Sequence, residues 1–256
     1  MIGLSQNDLS GYKAEKENRF VLEDGSNKDF VYVIHFGKDE NVETEIVAGN
    51  NCTLNMHVFC EGTVSHNINV KIGENSSVKI SFAVLCGKSV KTNLEVDFNG
   101  ENSEFDCPVI LMPFQDEKIE FQSVINHNVS RCKSNQIVRA VVDKNGVSDF
   151  YGLVKVAPNA QKTESGQVNN NILLSENARA LSKPQLEINA DDVKCSHGST
   201  TGMLDKNAIF YMRSRGISEK EAQNLMLQAF INEVTDSLNN PKYEQFLKEK
   251  IAVKLS

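Results

Sequence analysis

"VSHNINVKI", residues 64–72, alternates apolar or aromatic side chains with polar ones over its whole length. Every second residue shares one character, which is the two-residue period of a β-strand with one buried face. The residues that would face the core are Val64, His66, Ile68, Val70 and Ile72. The stretch therefore predicts a strand with Ser65, Asn67, Asn69 and Lys71 on its outer face.

Stretches of the same β-branched and aromatic character lie on both sides of this strand. They include "FVYVIHF" (30–36), "CTLNMHVF" (52–59), "SVKISFAVL" (77–85) and "SVKTNLEVDF" (89–98), and others continue to "QLEIN". Clusters of Gly, Asn, Asp and Ser separate them, which is the composition of turns. Strands follow each other about every dozen residues with no helix between them, a spacing typical of all-β folds.

This pattern excludes a fold of alternating strands and helices and leaves a sandwich, a barrel or a β-solenoid. A sandwich of this length would need an unusually large number of strands around one core. A solenoid has no such limit, because each coil is buried against its neighbours. The many Asn residues, including "NNN" at 169–171, also suit stacked coils with amide ladders. The pattern thus favours the solenoid, although no short sequence repeat is evident.

Helical signals begin after Gly202. Asp205 is placed to cap a first helix that ends at Gly216, and Ser218 with Glu221 forms a capping box for a second. The second helix, over 218–237, carries an apolar stripe formed by Ala222, Leu225, Met226, Ala229, Phe230 and Val234. A third helix begins at Asn240-Pro241. We therefore predict a flexible segment over 1–18, a β-rich core domain over 19–203 and a helical region over 204–256.

Composition limits the class of function. The chain has 256 residues and a formal net charge of -7, with no Lys/Arg cluster of the kind that binds nucleic acid. No apolar run is long enough to span a membrane, and the N-terminus lacks the apolar region of a secretion signal. The expected location is cytoplasmic, with the six cysteines as thiols. No phosphate-binding glycine motif is present, so this chain is not expected to bind a nucleotide.

"DDVKCSHGSTTG", residues 191–202, places Cys195 two positions before His197. On a strand the two side chains face the same way, and a thiolate with an imidazole can bind iron or zinc. Two ligands do not close such a site, so the others would come from elsewhere in the fold or from a second chain. The pair could also be a nucleophile and base, or a buried cysteine beside a hydrogen-bonded histidine.

A longer stretch, from Leu173 to Phe230, closely resembles the C-terminal half of the SufB/SufD family, the scaffolds of SUF iron–sulfur cluster assembly. The stretch runs "LLSENARALSKPQLEINADDVKCSHGSTTGMLDKNAIFYMRSRGISEKEAQNLMLQAF", and weaker likeness extends upstream to residue 129. "CSHG" is more similar to the SufD-type segment than to the SufB-type one. The resemblance implies a right-handed parallel β-helix followed by C-terminal helices, in agreement with the strand pattern.

The resemblance also implies partners and sites. It implies that His197 and Cys195 lie where two scaffold subunits meet, with a transient iron–sulfur cluster built at that interface. It further implies docking of residues 204–237 onto a SufC-type ABC ATPase, with no catalytic residues in the scaffold. Three consecutive residues of the first helix, 210–212, cannot all face inward, which suits such a surface. The candidate docking residues are Phe210, Tyr211, Met212, Arg213, Arg215, Leu225 and Met226.

Several functional hypotheses remain open at the level of sequence. The chain could work beside a SufB-type subunit, or as the sole scaffold in a homodimer, since it lacks the N-terminal helical segment usual in SufD-type members. Outside this family, a β-solenoid carbohydrate-active enzyme would need a cleft lined by carboxylates, which the sequence does not indicate. A purely structural interaction module would need neither Cys195 nor His197 for its function.

Overall fold

A computed structural model describes residues 11–255, apart from the side chains of residues 11–13, 35–39 and 86. The strands are β1 (Gly11–Lys13), β2 (Glu17–Leu22), β3 (Asn27–Ala48), β4 (Thr53–Ile72), β5 (Ser77–Cys86), β6 (Ser89–Phe98), β7 (Glu104–Leu111), β8 (Lys118–His127), β9 (Lys133–Val142), β10 (Val147–Val156), β11 (Glu164–Leu173), β12 (Arg179–Ile188) and β13 (Lys194–Gly202). The helices are α1 (Lys206–Ser214), α2 (Glu219–Thr235) and α3 (Pro241–Leu255).

All the strand pairs are parallel, and the chain winds as a β-solenoid of about six turns in the described residues. Each turn contributes one strand to each of two sides. One side contains β5, β7, β9, β11 and β13 in order, and the other contains β6, β8, β10 and β12. The long strands β3 and β4 run through both sides, so the first half of β4 pairs with β5 and the second half with β6. The predicted parallel β-helix is therefore confirmed.

The interior of the solenoid is formed by the alternate residues that the sequence pattern indicated. In β4, Val64, Ile68 and Ile72 are all buried, and the neighbouring strands add residues such as Leu94 and Phe98 in register. Because each coil stacks directly on the previous one, these rows run along the whole solenoid as a continuous apolar core. Amide side chains stack between coils on the outer face, where Asn93 donates a 2.6 Å hydrogen bond to Asn67, and in the interior, where Gln167 donates a 3.0 Å hydrogen bond to Gln136.

A repeat that the sequence analysis missed lies at one corner of the solenoid. At this corner a residue in the left-handed region, such as Asn75 (φ 53°) or Asn102 (φ 59°), comes directly before a small hydroxyl or thiol residue. In every pair but the last, that residue bonds a carbonyl of the turn below, as Ser76 Oγ does to Gly49 O at 2.8 Å. Thr163 Oγ1 instead donates to Ala160 O of its own turn, also at 2.8 Å. The successive pairs are Asn51-Cys52, Asn75-Ser76, Asn102-Ser103, Arg131-Cys132 and Lys162-Thr163. Changing residue types and unequal spacing hide this repeat in the sequence.

The C-terminal helices begin where the sequence predicts, and α1 ends just before the predicted glycine. Asp205 accepts a hydrogen bond from the Asn207 backbone, Ser218 and Glu221 form the complete capping box, and Gly216 has a φ of 89°. Helices α2 and α3 lie on the outer face of the side that contains β5, β7 and β9, where they form a second apolar core. Residues 203–205 connect β13 to α1, while the division of the chain into domains stays a prediction.

The apolar stripe predicted for α2 is divided between packed and exposed positions. The residues that contact the β-helix are Leu227, Ile231 and Val234, followed by Leu238 after the helix. Leu225 and Ala229, which belong to the predicted stripe, are exposed instead. Helix α2 is apolar on two faces, so the spacing within the helix could not reveal which one the sheet would cover.

Residues 1–10 of the predicted flexible segment lie outside the described part of the chain. The rest of that segment includes β1 and the start of β2, which both pair with β3. No helix in the described residues is long and apolar enough to cross a membrane.

Candidate functional site

The candidate site lies at the C-terminal end of the solenoid, which we call the end face. It is formed by β12 and β13, the last strand of each side. Within residues 11–255, β12 pairs only with β10 and β13 only with β11, so each strand has one edge without a strand partner. A hydrogen bond of 2.7 Å from Ser199 Oγ to Ser182 Oγ connects the two strands across the interior.

Cys195 and His197 are both on β13 and face the interior side of the end face. Their register partners on β11 are Ser165 and Gln167, which are buried in the solenoid. Cys195 is half-buried and packs against the core, whereas His197 is exposed because no further coil covers it. The strand thus presents a thiol and an imidazole side by side at an uncovered end, as the spacing predicted.

The interior beneath this pair is polar, whereas apolar side chains form most of the core. Below Cys195, Ser134 Oγ bonds both Ser165 Oγ (2.8 Å) and His127 Nε2 (2.9 Å). Below His197, the amide of Gln167 donates to Gln136 Oε1 at 3.0 Å. The sequence analysis did not single out these residues. A signal was available, because the inward positions of "SNQIVRAVV" and "SGQVNN" carry polar residues where the alternation calls for apolar ones.

Burial raises the pKa of the Cys195 thiol above its usual range, and a backbone hydrogen bond from Ser165 opposes that change. The thiol is therefore protonated near neutral pH unless a metal or another positive charge displaces its proton. The nearest ion pair on the strand, Lys194 with Glu164 at 3.6 Å, lies on the outer face and is largely exposed. Cys195 is thus suited to metal-assisted ligation and poorly suited to act as a free thiolate nucleophile.

The other histidines and cysteines whose side chains the structure describes do not converge on this pair. Among the described side chains, no three His, Cys, Asp or Glu residues are grouped as a metal site. His57 faces outward beneath α3, and its ring stacks on Tyr243 at 4.8 Å, while His66 faces the interior. The four remaining cysteines whose side chains the structure describes are buried: Cys52, Cys60, Cys107 and Cys132.

The candidate docking residues form an exposed surface on α1 and α2. Helix α1 has no buried residue, and Phe210 and Tyr211 are 73% and 60% exposed. Leu225 of α2 is 49% exposed and borders a shallow groove that also contains Gly216 and Ile217. The remaining candidates are exposed or half-buried: Met212, Arg213, Arg215 and Met226. The guanidinium carbon of Arg215 lies 5.3 Å from the ring centroid of Tyr211, so this candidate arginine is part of the same exposed surface as the aromatic residues.

These features define a class of protein, a parallel β-solenoid with a Cys/His pair at its open end and exposed C-terminal helices. The SufBD core domain of the SUF system for FeS cluster assembly matches residues 10–230. The chain therefore belongs to the SufB/SufD family, and its relatives indicate the SufD type.

Three relatives illustrate the likeness. The iron–sulfur cluster assembly protein SufD of Escherichia coli (strain K12) is 35% identical over 82% of this chain and 50% of its own length. A SufBD family protein of Synechocystis is 33% identical over 77% of this chain and 45% of its own. Protein ABCI7, chloroplastic, of Arabidopsis thaliana is 28% identical over 86% of this chain and 49% of its own. The chain spans about half the length of the curated relatives it matches.

Proposed function

We propose that this chain is a non-enzymatic scaffold of SUF iron–sulfur cluster assembly in the cytoplasm, with the nascent cluster as its cargo. The observation that carries the proposal is the position of Cys195 and His197, side by side on the terminal strand of the solenoid. Thiolate and imidazole are both ligands for iron, and the uncovered end face leaves the two side chains accessible. Membership of the SufB/SufD family supports the same function.

A second scaffold subunit completes the site in this proposal. Two ligands occupy only part of the coordination sphere of iron, so the others come from a facing chain. The single-sided pairing of β12 and β13 supports this arrangement, because an edge strand offers unpaired backbone groups to another chain. The partner is either a SufB-type subunit or a second copy of this chain.

The ATPase partner docks, in this proposal, on the exposed surface of α1 and α2. Aromatic residues that are more than half exposed, such as Phe210 and Tyr211, typically mark a protein interface. The β13 strand connects to α1 through residues 203–205 alone, so a force on the helices reaches Cys195 and His197 through one short segment. Movement of the ATPase pair would thereby shift the end face and admit iron or sulfide.

The test is anaerobic co-purification with a SufC-type ATPase and a SufB-type subunit, followed by assay of iron and acid-labile sulfide. We expect Cys195→Ala and His197→Ala to retain the complex and to lose at least tenfold in bound iron and sulfide. Ser196→Ala is the matched control, because Ser196 lies between the two on β13 but faces outward. Equal iron and sulfide in all four proteins would contradict the proposed site.

The same purification separates the partner arrangements. A complex that forms and holds iron without the SufB-type subunit indicates a homodimeric scaffold. A complex that holds iron only with that subunit indicates an accessory role. Replacing Phe210 by Ser should weaken ATPase binding at least tenfold without changing the iron-binding pair, since it removes an exposed aromatic residue from the docking surface.

A further inference from the structure

The side-chain amide of Gln167 has an unused hydrogen-bond acceptor in the solenoid interior. Gln167 is fully buried, and its Nε2 donates to Gln136 Oε1 at 3.0 Å. Its own Oε1 is buried and has no hydrogen-bond partner among the described residues. An amide oxygen that is buried without a donor destabilises the fold, so a donor that reaches this oxygen would be stabilising.

The orientation of this amide is fixed by the network beneath it. Gln136 Oε1 accepts hydrogen bonds from both Ser123 Oγ (3.0 Å) and Gln167 Nε2, while Gln136 Nε2 donates to Cys107 Sγ at 3.6 Å. Because Gln136 presents an oxygen to Gln167, the Gln167 amide must direct its NH₂ group downward. Gln167 Oε1 is then free to accept a hydrogen bond from a donor on a side other than that of Gln136.

Gly152, across the interior on β10, makes room for this amide. A methyl group at residue 152 would lie 2.3 Å from Gln167 Nε2 and 2.8 Å from its carbonyl carbon, distances that no real contact shows. The glycine and the glutamine therefore fit each other. Pro184 lies in register with Gly152 on β12 and has no polar side-chain atom that could serve as the donor.

The side chain next to Gln167 in the direction of the end face is His197. The two are register partners on β11 and β13, and both point to the interior side. Adjacent parallel strands are about 4.8 Å apart, which is within reach of a glutamine oxygen and a ring N–H. A neutral imidazole carries one N–H donor and one nitrogen with a lone pair.

This hydrogen bond is not formed in the structure, where the His197 side chain is exposed. We propose that Gln167 is the positioning residue for His197: when the exposed ring turns inward, Gln167 Oε1 accepts one ring N–H and the other ring nitrogen is directed toward the open end face. The use of that second nitrogen as a metal ligand rests on the proposed function, whereas the hydrogen bond does not. Metal-binding histidines generally donate their second N–H to a neighbouring acceptor, which fixes the tautomer, and its loss typically weakens metal binding about 10–100-fold.

The direct test is ¹⁵N NMR of the histidine rings at alkaline pH, with the His197 signals assigned from a His197→Gln variant. We expect one dominant tautomer of His197 in the wild type. Gln167→Met keeps the side-chain volume but removes the amide acceptor, so the two ring shifts should move toward the average of both tautomers. Gln167→Glu keeps an acceptor oxygen and should preserve the single tautomer. Gln122→Met, on the outer face of β8, is the control and should change nothing.

A second variant tests the same contact without altering Gln167. Gly152→Ala must displace the Gln167 amide, so it should also change the His197 ring shifts, although residue 152 lies on another strand. Ring shifts of His197 that are identical in the wild type, Gln167→Met and Gly152→Ala would overturn the proposal.

Ferrous iron binding in the purified complex then separates this inference from the proposed function. We expect Gln167→Met to bind iron about 10–100-fold more weakly than the Gln122→Met control. If the His197 ring shifts change in Gln167→Met but neither the wild type nor any variant binds iron, the hydrogen bond is supported and the scaffold function is contradicted. Full iron binding by Gln167→Met, together with unchanged ring shifts, would contradict the positioning role alone.

Discussion

At the scale of single residues, three of the histidines whose side chains the structure describes are buried and neutral. Burial lowers the pKa of His66 to about 3, that of His127 to about 4 and that of His57 to about 4. In each ring one nitrogen bonds a hydroxyl group, as His66 Nε2 does to Thr44 Oγ1 at 3.0 Å. A buried imidazolium would lose its solvation, which is the main reason that these rings remain neutral. Asp29 Oδ1 lies 3.7 Å from His57 Nε2, but this carboxylate only partly opposes the effect of burial on the pKa of His57.

These histidines should make the fold sensitive to acid. Because their pKa values are lower in the folded state, the unfolded chain binds more protons below about pH 6.5, the usual value for histidine. The contribution of these histidines to the free energy of unfolding is therefore fully present above that pH. It is lost progressively as the pH falls toward their folded-state pKa values of about 4 and 3. At pH 5, His66 alone should account for a loss of about 2 kcal/mol.

Urea denaturation of a His66→Gln variant at pH 7.5 and pH 5 checks this prediction. The fall in unfolding free energy between the two pH values should be about 2 kcal/mol smaller than in the wild type. Thr92→Ser is the control, because it changes the next position in the same interior row and keeps every histidine. An equal fall in all three proteins would show that His66 is not protonated on unfolding.

At the scale of elements, α2 is attached to the solenoid through a charged contact as well as an apolar one. The side chain of Arg139, on the outer face of β9, is only 6% exposed. Its guanidinium donates to the Glu233 carboxylate of α2 and to Val138 O at 3.3 Å, and it lies 5.4 Å from the Phe230 ring centroid. The contact fixes one face of α2 against the sheet.

Removing the acidic partner should cost more than removing the cation. Glu233→Ala leaves a nearly buried guanidinium without its carboxylate, and we expect a loss of about 1–2 kcal/mol, because Glu233 itself is half exposed. Arg139→Met fills similar space without leaving a buried charge, so its cost should be smaller. Urea unfolding curves give both values.

Glu249→Ala is the matched control for this comparison. Glu249 is an exposed acid of α3 that accepts a hydrogen bond from Gln245 at 2.7 Å, and its loss should be within about 0.5 kcal/mol of neutral. A greater cost for Arg139→Met than for Glu233→Ala would mean that the arginine stabilises mainly through its own packing.

At the scale of the whole molecule, the two ends of the solenoid offer comparable edges. Val21 of β2 at one end and Leu181 of β12 at the other are 57% and 55% exposed. Only the β12 end adjoins Cys195 and His197, so the proposed subunit interface lies there. A lysine on an edge strand opposes pairing with another chain and costs little where the side chain is already exposed.

Leu181→Lys should therefore weaken scaffold dimerisation at least tenfold while leaving the unfolding temperature nearly unchanged. Val21→Lys makes the same chemical change at the opposite end and should leave dimerisation intact. Light scattering over a concentration series, with and without a SufB-type subunit, measures both. Weaker association in Val21→Lys but not in Leu181→Lys would place the interface at the wrong end for the proposed site.

Local sequence was sufficient for much of this fold. The alternation in "VSHNINVKI" identified the inward row of β4, and the caps at Asp205 and Ser218 identified the starts of α1 and α2. These signals depend only on residues within a few positions of each other, so they can be recognised from the sequence alone. The strand pattern favoured a solenoid and the two-residue spacing singled out Cys195 and His197, while the family resemblance implied that the solenoid is a parallel β-helix.

What only the tertiary structure decided involves residues that are a full coil apart. Stacking of the coils makes Gln167 and His197 neighbours on adjacent strands and places Gly152 against Gln167 across the interior. Neither contact can be predicted from a local sequence pattern. The packed face of α2 also depended on which surface the sheet offered, because Leu227 and Leu225 are equally apolar in sequence. The sequence by itself determined which way each strand faces, whereas stacking of the coils determined what each inward side chain meets, since that neighbour comes from another turn.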